Sequence, residues 1–320
     1  MARVVRILDA TLREGAQAPG VGWAPASSVA VARALDGLGV DTIECGHPAI
    51  GGAERDRILA VVEAGLGAPL LCHARAVEAD IDAVAEVGAP WVGLFLGVNP
   101  VSRRARVRKE PDQLLEQLSR AVRHAKRSGL RVRFTLEDAS RTDEADVVRA
   151  YDCALESGAD RLGWADTVGA AEPAGVALAI SSLRSRYAEA AIEVHLHDDR
   201  GLALASALAA LEAGATWIAA SVNGLGERCG IVDLASVLVN LAVRGDRPAP
   251  EGELLQRLSA MVAELSGAPP DARRPIVGAN AFTHTAKLHV RAMERDEQAY
   301  AWIDARDVGR RLRLLGSDPN

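Results

Sequence analysis

The feature that most constrains the fold of this chain is a regular alternation between short strand-like runs and longer helical runs. Eight runs rich in aliphatic residues are strand-like: Val4–Ala10, Asp41–Cys45, Pro69–His73, Trp91–Leu96, Arg131–Leu136, Arg161–Ala165, Ile192–His197 and Trp217–Val222. Each is followed by an amphipathic helical run: Ala26–Leu38, Ala53–Ala64, Glu78–Val87, Pro111–Ser128, Glu144–Ser157, Glu172–Ala188, Leu202–Ala213 and Asp233–Val243. Because eight such units in about 240 residues match a (β/α)8 barrel, the alternation predicts an α/β fold of the TIM-barrel type.

A doubly wound parallel sheet is the alternative arrangement for alternating strands and helices. It usually has a glycine-rich turn after the first strand, whereas here Asp9 begins the polar run DATLREG. The barrel is therefore favoured, and it is predicted to fill residues 1–245 as the catalytic domain. A linker rich in Pro, Gly and Arg then leads into residues 246–320, which are expected to form a short accessory segment. This segment contains a predicted helix at Leu254–Ser266.

The composition excludes several classes of protein. Apolar residues make up 49% of the chain and charged residues 25%, which excludes an intrinsically disordered protein. A net charge of −6 argues against a nucleic-acid partner. The four cysteines form no CxxC pair, and no apolar stretch approaches the roughly 20 residues of a membrane helix. With no leader-like segment at the start, the chain is predicted to be cytoplasmic, without a membrane partner.

Polar and charged residues collect at the ends of the predicted strands, where a barrel of this type has its active site. They are Asp9, Arg13, Glu14, Glu44, His73, Arg133, Glu137, Asp138, Asp166, Thr167, His195, His197 and Asn223. So many acids, imidazoles and guanidinium groups at one end of a barrel favour an enzyme over a surface of no particular function.

The sharpest pair in this set is His195 and His197. Residues two apart on a strand point to the same face, about 6.5 Å apart. Two imidazoles and a carboxylate from another strand end suit a divalent metal such as Mg²⁺, Mn²⁺, Co²⁺ or Zn²⁺. The alternative to a metal site is that one histidine packs in the core while the other faces solvent. The position of the pair at the end of a barrel strand favours the metal site. Asp198 and Asp199 are further candidate ligands, or residues that orient the imidazoles.

Several motifs resemble those of the DRE-TIM metallolyase superfamily, and within it the homocitrate synthase and 2-isopropylmalate synthase branch. The three most specific are DATLREGAQ at 9–17, HLHDDRGLA at 195–203 and NGLGERCG at 223–230. Three more are LEDASR at 136–141, AFTHTAKLH at 281–289 and IECGHPAIG at 43–51, the last being similar to nitrogen-fixation-type homocitrate synthases. The resemblance covers almost the whole chain, in order.

The resemblance implies a Claisen-type condensation of an acyl-CoA, usually acetyl-CoA, with a 2-oxo acid. Glu14, His195 and His197 would then hold the divalent metal, which binds the keto oxygen and carboxylate of the oxo acid. Arg13 would stabilise the alkoxide that develops. Gln17 would help to position the substrate.

The resemblance also implies an acid/base group formed by Glu137, His289 and Tyr300, which removes a proton from the acyl-CoA methyl group. His289 and Tyr300 would reach in from the tail of a partner subunit, so that residues 246–320 contribute to a homodimer and to the active site. The alternative for Tyr300 is a half-buried packing residue, and for Glu137 a charge at the start of a helix.

Three further residues resemble substrate-binding residues of homocitrate synthases: His73, Arg133 and Thr167. His73 and Arg133 favour an oxo acid with an anionic distal group, because an unpaired buried arginine would be costly beside an apolar substrate. Departures from the family pattern leave 2-oxoisovalerate, pyruvate and phosphonopyruvate open: HDD at 197–199 instead of His-Asn-Asp, Lys287 beside His289, and GVNP at 97–100 instead of a hydroxyl-rich loop.

A basic cluster follows the GVNP segment, made of Arg103, Arg104, Arg106, Arg108 and Lys109. It is interpreted either as a contact for CoA phosphates or a phosphonate, or as a solvated loop face. A 3-hydroxy-3-methylglutaryl-CoA lyase-like enzyme is a second functional hypothesis, since it shares the metal motif. The synthase is favoured because Cys229 is one position off the lyase pattern and because the tail resembles that of a synthase.

Overall fold

The barrel predicted from the sequence is confirmed in the computed structural model, which describes residues 5–316. In that range, eight parallel strands close in chain order. They are β1 (Arg6–Asp9), β2 (Thr42–Gly46), β3 (Leu70–Arg75), β4 (Trp91–Leu96), β5 (Arg131–Leu136), β6 (Arg161–Asp166), β7 (Ile192–Leu196) and β8 (Trp217–Ala220). The pairing of Arg6 with Trp217 closes β8 onto β1. Val4, the first residue of the first predicted strand, lies outside the described residues.

Helices follow the strands within two residues of the predicted bounds. They are Pro25–Leu38, Gly52–Glu63, Glu78–Glu86, Pro111–Arg127, Glu144–Glu156, Pro173–Arg186, Ala203–Ala213 and Leu234–Val243. Pro25, Pro111 and Pro173 occupy first helical positions, where the fixed φ of proline is compatible with a helix and its missing N–H costs nothing. The first helix ends at Gly39, whose φ of 80° is left-handed and easiest for glycine.

Two apolar clusters make up the core. The larger lies between the strands and the surrounding helices and is mainly aliphatic. The smaller fills part of the barrel interior and includes Leu8, Leu71, Trp91 and Trp217. Because the strands are parallel, their carboxyl ends lie at one mouth of the barrel, where the polar strand-end residues meet.

The chain after residue 245 packs against the barrel. Its helix Gly252–Ser266 buries Leu255, Leu258 and Val262 in the larger core cluster. A short helix, Lys287–Met293, and a two-stranded parallel sheet of Thr283–His284 with Arg313–Leu314 complete it. The domain boundary at 245/246 stays a prediction, and residues 317–320 lie outside the described range. Among the described residues, none of the helices has the length and apolar character needed to span a bilayer.

Candidate metal centre and active site

Three residues at the barrel mouth form a candidate metal centre. Glu14 lies in the turn after β1, whereas His195 is on β7 and His197 directly follows it. One ligand atom from each residue lies within 4.8 Å of the others, and all three residues are buried. Oε2 of Glu14 is 3.8 Å from Nε2 of His195, and Oε1 is 3.9 Å from Nε2 of His197. These separations are too long for hydrogen bonds and suit donors that surround one ion at about 2.0–2.2 Å each.

The electrostatics of the centre also suit a metal. Burial, together with the neighbouring His197, holds the pKa of His195 well below its usual value, and burial lowers the pKa of His197 as well. Both imidazoles are therefore neutral at pH 7 and present lone pairs. Two neutral imidazoles and one carboxylate fit a divalent cation and leave coordination positions for a substrate.

The two carboxylates that follow the histidines are engaged elsewhere. Asp199 forms an ion pair with Arg228, with Nε 2.6 Å from Oδ1. Asp198 accepts the backbone N–H of Ala203 at 2.9 Å. Neither residue is part of the Glu14–His195–His197 cluster in the described chain, so the interpretation of Asp198 and Asp199 as ligands is not favoured.

The glycine-rich loop at 223–230 holds Glu14 in place. The backbone N–H of Glu227 donates to Glu14 Oε1 at 3.1 Å. Gly230 has a φ of 75°, and a Cβ there would lie 1.7 Å from the carbonyl oxygen of Gly224. Only glycine fits this close approach, so the motif identified in the sequence has a direct structural reason.

Arg13 lies beside the metal centre between two carboxylates. Its Nε donates to Glu44 Oε2 at 2.8 Å, and its Nη1 donates to Glu14 Oε2 at 2.5 Å. When the Gln17 amide group is oriented with its nitrogen towards Glu14, that nitrogen donates to Oε2 of Glu14 at 3.0 Å. Arg13, Glu14 and Gln17, predicted together from one motif, are therefore neighbours. A guanidinium held in this way is preorganised to stabilise negative charge at the adjacent centre.

Glu44 is a buried acceptor at the middle of the site. Besides Arg13, its carboxylate accepts from Arg133 Nη2 at 2.7 Å and from His73 Nδ1 at 3.1 Å. Although burial opposes ionisation, Arg13 and Arg133 hold the pKa of Glu44 well below its usual value. Burial and the nearby Arg13 lower the pKa of His73 to about 3, so His73 is neutral. Its Nδ1–H faces Glu44 and its ring stacks on Phe95 at 4.4 Å between centroids.

The structure corrects one premise about Arg133. The expectation that this buried arginine is unpaired without a substrate is wrong. Nη2 donates to Glu44, and Nη1 donates to Glu193 Oε1 at 2.8 Å. Glu193 was missed, although it lies two residues before His195 and therefore faces the same interior. The assignment of His73, Arg133 and Thr167 to the substrate stays a prediction, without the argument from an unpaired charge.

Four of the predicted strand-end residues support loops: Asp9, Asp138, Asp166 and Asn223. Asp9 accepts the backbone N–H of Thr11 at 2.8 Å, which fixes the turn that presents Arg13 and Glu14. Asp138 accepts from Asn99, and Asp166 accepts N–H groups of the loop after β6. Asn223 exchanges two hydrogen bonds with Ser259 on the helix Gly252–Ser266. The hydroxyl of Thr167 accepts the N–H of Asp138 at 2.8 Å, so its own O–H remains to donate.

The three predicted acid/base residues form two groups. Glu137 follows β5 and pairs with Arg106 from the loop after β4. His289 and Tyr300 stack in the tail, with ring centroids 3.9 Å apart and an interplanar angle of 19°. No hydrogen bond joins Glu137 to either of them within the described part of one chain. Their assignment as an acid/base group therefore stays a prediction.

Comparison with known proteins places this geometry in context. A model of the HMGL-like family matches residues 4–262. A homocitrate synthase of Pyrococcus abyssi (strain GE5 / Orsay) is 44% identical over 306 residues, which cover 95% of this chain and 84% of that protein. A putative (R)-citramalate synthase of Methanopyrus kandleri is 38% identical, with 97% of this chain and 62% of that protein covered. The HMG-CoA lyase of Bacillus subtilis has the same fold, with a TM-score of 0.76 at 24% identity over 85% of this chain and 96% of that one.

Proposed function

Because the chain belongs to the HMGL-like family, we propose that it condenses acetyl-CoA with a 2-oxo acid and releases CoA, as a homocitrate synthase-like acyltransferase. The observation that carries this proposal is the cluster of Glu14, His195 and His197 within 4.8 Å, beside the fixed guanidinium of Arg13. A relative named homocitrate synthase, 44% identical to this chain, supports the same reaction.

Residues at the barrel mouth bind the oxo acid and stabilise the alkoxide that forms from it. Glu14, His195 and His197 would hold a divalent cation, which would supply Lewis-acid polarisation of the keto group. Arg13 stabilises the alkoxide that forms when the acetyl carbon attacks. Gln17, Thr167 and Arg133 hold the carboxylates of the oxo acid. Glu44 keeps Arg13 and His73 fixed through the turnover.

Proton transfer from the methyl group of acetyl-CoA precedes this attack. His289 takes a proton from the methyl group of acetyl-CoA, Glu137 accepts the opposite N–H of the imidazole, and Tyr300 orients the ring by stacking. The carbon nucleophile then forms the new C–C bond with the keto carbon while the C=O π bond breaks, and the resulting alkoxide takes up one proton, which balances the proton that His289 removed. Water cleaves the thioester, so that acetyl-CoA, the oxo acid and water give a hydroxy acid and free CoA.

We propose that the enzyme is a homodimer in which each barrel receives His289 and Tyr300 from its partner's tail. Among the described residues of one chain, no hydrogen bond joins the His289–Tyr300 stack to Glu137, although the two groups act together in the proposed reaction. The tail also exposes large apolar side chains that a subunit contact would cover: Leu288 is 71% exposed and Trp302 is 61% exposed.

Co-expression of two inactive variants tests the shared site. Glu137→Gln and His289→Ala are each expected to be inactive. A hybrid dimer of the two has one site with both defects and one with neither, so equal mixing restores about a quarter of wild-type CoA release. Glu137→Gln with His195→Ala is the matched control, because both defects lie in the barrel and every hybrid site keeps one. Equal recovery in the two mixtures, or full activity of a monomer on a sizing column, would contradict the proposal.

The oxo acid is proposed to be a 2-oxo dicarboxylic acid, as in homocitrate synthases. A panel assay of thiol release from acetyl-CoA tests this, with 2-oxoglutarate, oxaloacetate, 2-oxoisovalerate, pyruvate and phosphonopyruvate after reconstitution with Mg²⁺, Mn²⁺, Co²⁺ or Zn²⁺. Fastest turnover is expected with 2-oxoglutarate. A preference for pyruvate would match the relative named citramalate synthase instead. Cleavage of 3-hydroxy-3-methylglutaryl-CoA with no condensation of any acid would favour the lyase.

A further inference from the structure

The loop between β4 and the helix Pro111–Arg127 is fixed against the end of β5. Asn99 caps a single helical turn by accepting the N–H of Ser102 at 2.8 Å. Its Nδ2 donates to Oδ2 of Asp138, the residue next to Glu137, at 2.6 Å. The following residues, Arg103–Val107, form a π-helical turn that ends at Arg108 with a left-handed φ of 49°. Turns of this kind are rare and occur frequently at functional sites.

This anchored loop directs one of its arginines back over the barrel mouth. Nη2 of Arg106 donates to Oε2 of Glu137. The guanidinium carbon lies 5.5 Å from the ring centroid of Phe95, the residue that stacks on His73. A Cβ on Gly97 would lie 2.7 Å from Oγ of Ser102, so this glycine leaves room for the helical turn that precedes Arg106. The guanidinium of Arg106 therefore lies between the ring of Phe95 and the carboxylate of Glu137.

The other arginines of the loop behave differently. Arg103 lies 3.4 Å from Glu110, and within the described part of the chain the side chains of Arg104 and Arg108 have no ion pair. The basic cluster singled out in the sequence is therefore not uniform. One member, Arg106, is directed to a residue of the proposed active site, and Arg104 offers a matched control on the same turn.

We propose that Arg106 is a positioning residue for Glu137: it holds Oε2, so that Oε1 stays directed to the N–H of the base histidine. The inference rests on the proposed function, in which Glu137 accepts that N–H. A carboxylate with one oxygen fixed by a guanidinium keeps a single orientation and a counter-charge. Without Arg106, the side chain is free to rotate away from the histidine.

The charges around Glu137 support this role. Among the described residues, the charged groups that face it are Arg106 from the loop after β4 and Asp138 from its own turn. Burial raises the pKa of Glu137, Asp138 raises it further, and Arg106 opposes both effects. Arg106 therefore favours the ionised form, which is the form that accepts a hydrogen bond from an imidazole.

The test is a comparison of Arg106→Gln, Arg106→Lys and Arg104→Gln in the full-length, metal-loaded enzyme. Arg106→Gln is expected to lower kcat by about tenfold or more, with little change in the KM of the oxo acid. The acidic limb of its kcat–pH profile should move to higher pH by about one unit, because the pKa of Glu137 rises when the opposing charge is removed. Arg106→Lys should return the limb towards wild type, and Arg104→Gln should leave it unchanged.

A second readout is independent of turnover. Carboxyl carbon NMR with labelled glutamate, assigned through Glu137→Gln, follows the titration of Glu137 in wild type and in Arg106→Gln. A higher pKa in the variant is expected whether or not the proposed reaction is correct, so failure of the reaction is distinguished from failure of this inference. An unchanged titration, or a raised KM for the oxo acid at unchanged kcat, would overturn the positioning role.

Discussion

His195→Ala is expected to lose bound metal and CoA release together. His195 is one of only three residues in the described cluster that offer ligand atoms, and it is buried at the mouth. Loss of a residue that merely orients a metal ligand costs about 10–100-fold in affinity, so loss of the ligand itself should cost at least about 100-fold. CoA release should fall to background, because the site would then lack the cation that polarises the keto group.

Metal content by mass spectrometry after desalting, together with thiol release, measures both parts of this expectation. His124→Ala is the matched control, since His124 lies on the helix Pro111–Arg127 and pairs with Asp82 at 2.6 Å, outside the metal cluster. It should keep both metal and activity. A His195→Ala protein that turns over normally, or that binds metal as tightly as wild type, would contradict the assigned ligand set.

Glu193→Gln is expected to destabilise the fold strongly. Glu193 is 1% exposed and accepts from two buried guanidinium groups, Arg133 at 2.8 Å and Arg161 at 2.7 Å. Arg161 also lies 3.6 Å from the ring centroid of Trp217 and is buried inside the barrel. Removing one charge from a buried ion-pair network leaves the others uncompensated, which costs about 3–5 kcal/mol in the free energy of unfolding.

Urea unfolding followed by circular dichroism measures this loss, both with metal and with a chelator, because a bound metal adds its own stabilisation. Glu189→Gln is the matched control, since Glu189 is exposed four residues earlier. The control should unfold like wild type. A loss below about 1 kcal/mol for Glu193→Gln would mean that the network is solvated or exchanges partners, and would contradict its burial.

The barrel followed from the sequence because local patterns determine it. Three local signals agree: aliphatic runs have the length of strands, several helical runs begin with proline, and a glycine ends the first helix. The bounds of the strands and helices were therefore predicted within two residues. The metal cluster could also be predicted from the sequence, since two histidines on one strand share a face and the motif after β1 supplies the carboxylate. These features depend on neighbours in sequence and on the common mouth of a parallel barrel.

The charge network inside the barrel was not predicted, because its pairs depend on how adjacent strands line up. Arg133 on β5 lies opposite Arg161 on β6. Glu193 on β7 lies opposite Gly163 of β6, a residue without a side chain. Gly93 on β4 leaves space for the Arg133 guanidinium, since a Cβ there would lie 2.6 Å from Nη2. Neither the register nor the use of the space beside Gly93 can be inferred from the alternation of residues along one strand.

The contact between Arg106 and Glu137 was missed for a related reason. In the sequence, the five basic residues at 103–109 were equivalent, and a solvated face was the simplest interpretation. A π-helical turn and the cap by Asn99 decide which of them faces the site. His289 and Tyr300, by contrast, were predicted from the resemblance to homocitrate synthases. Their proposed partner, Glu137, lies on the other subunit.

The most direct test of the account is the fate of the acetyl methyl group. Acetyl-CoA with a fully deuterated methyl group is incubated with the metal-loaded enzyme and 2-oxoglutarate, and the products are identified by mass spectrometry. The proposed reaction gives a hydroxy tricarboxylic acid that keeps two of the three deuterons, because one is removed before the C–C bond forms. His195→Ala should give no such product. Free acetate with all three deuterons as the sole acyl product would show thioester hydrolysis without condensation and would contradict the account.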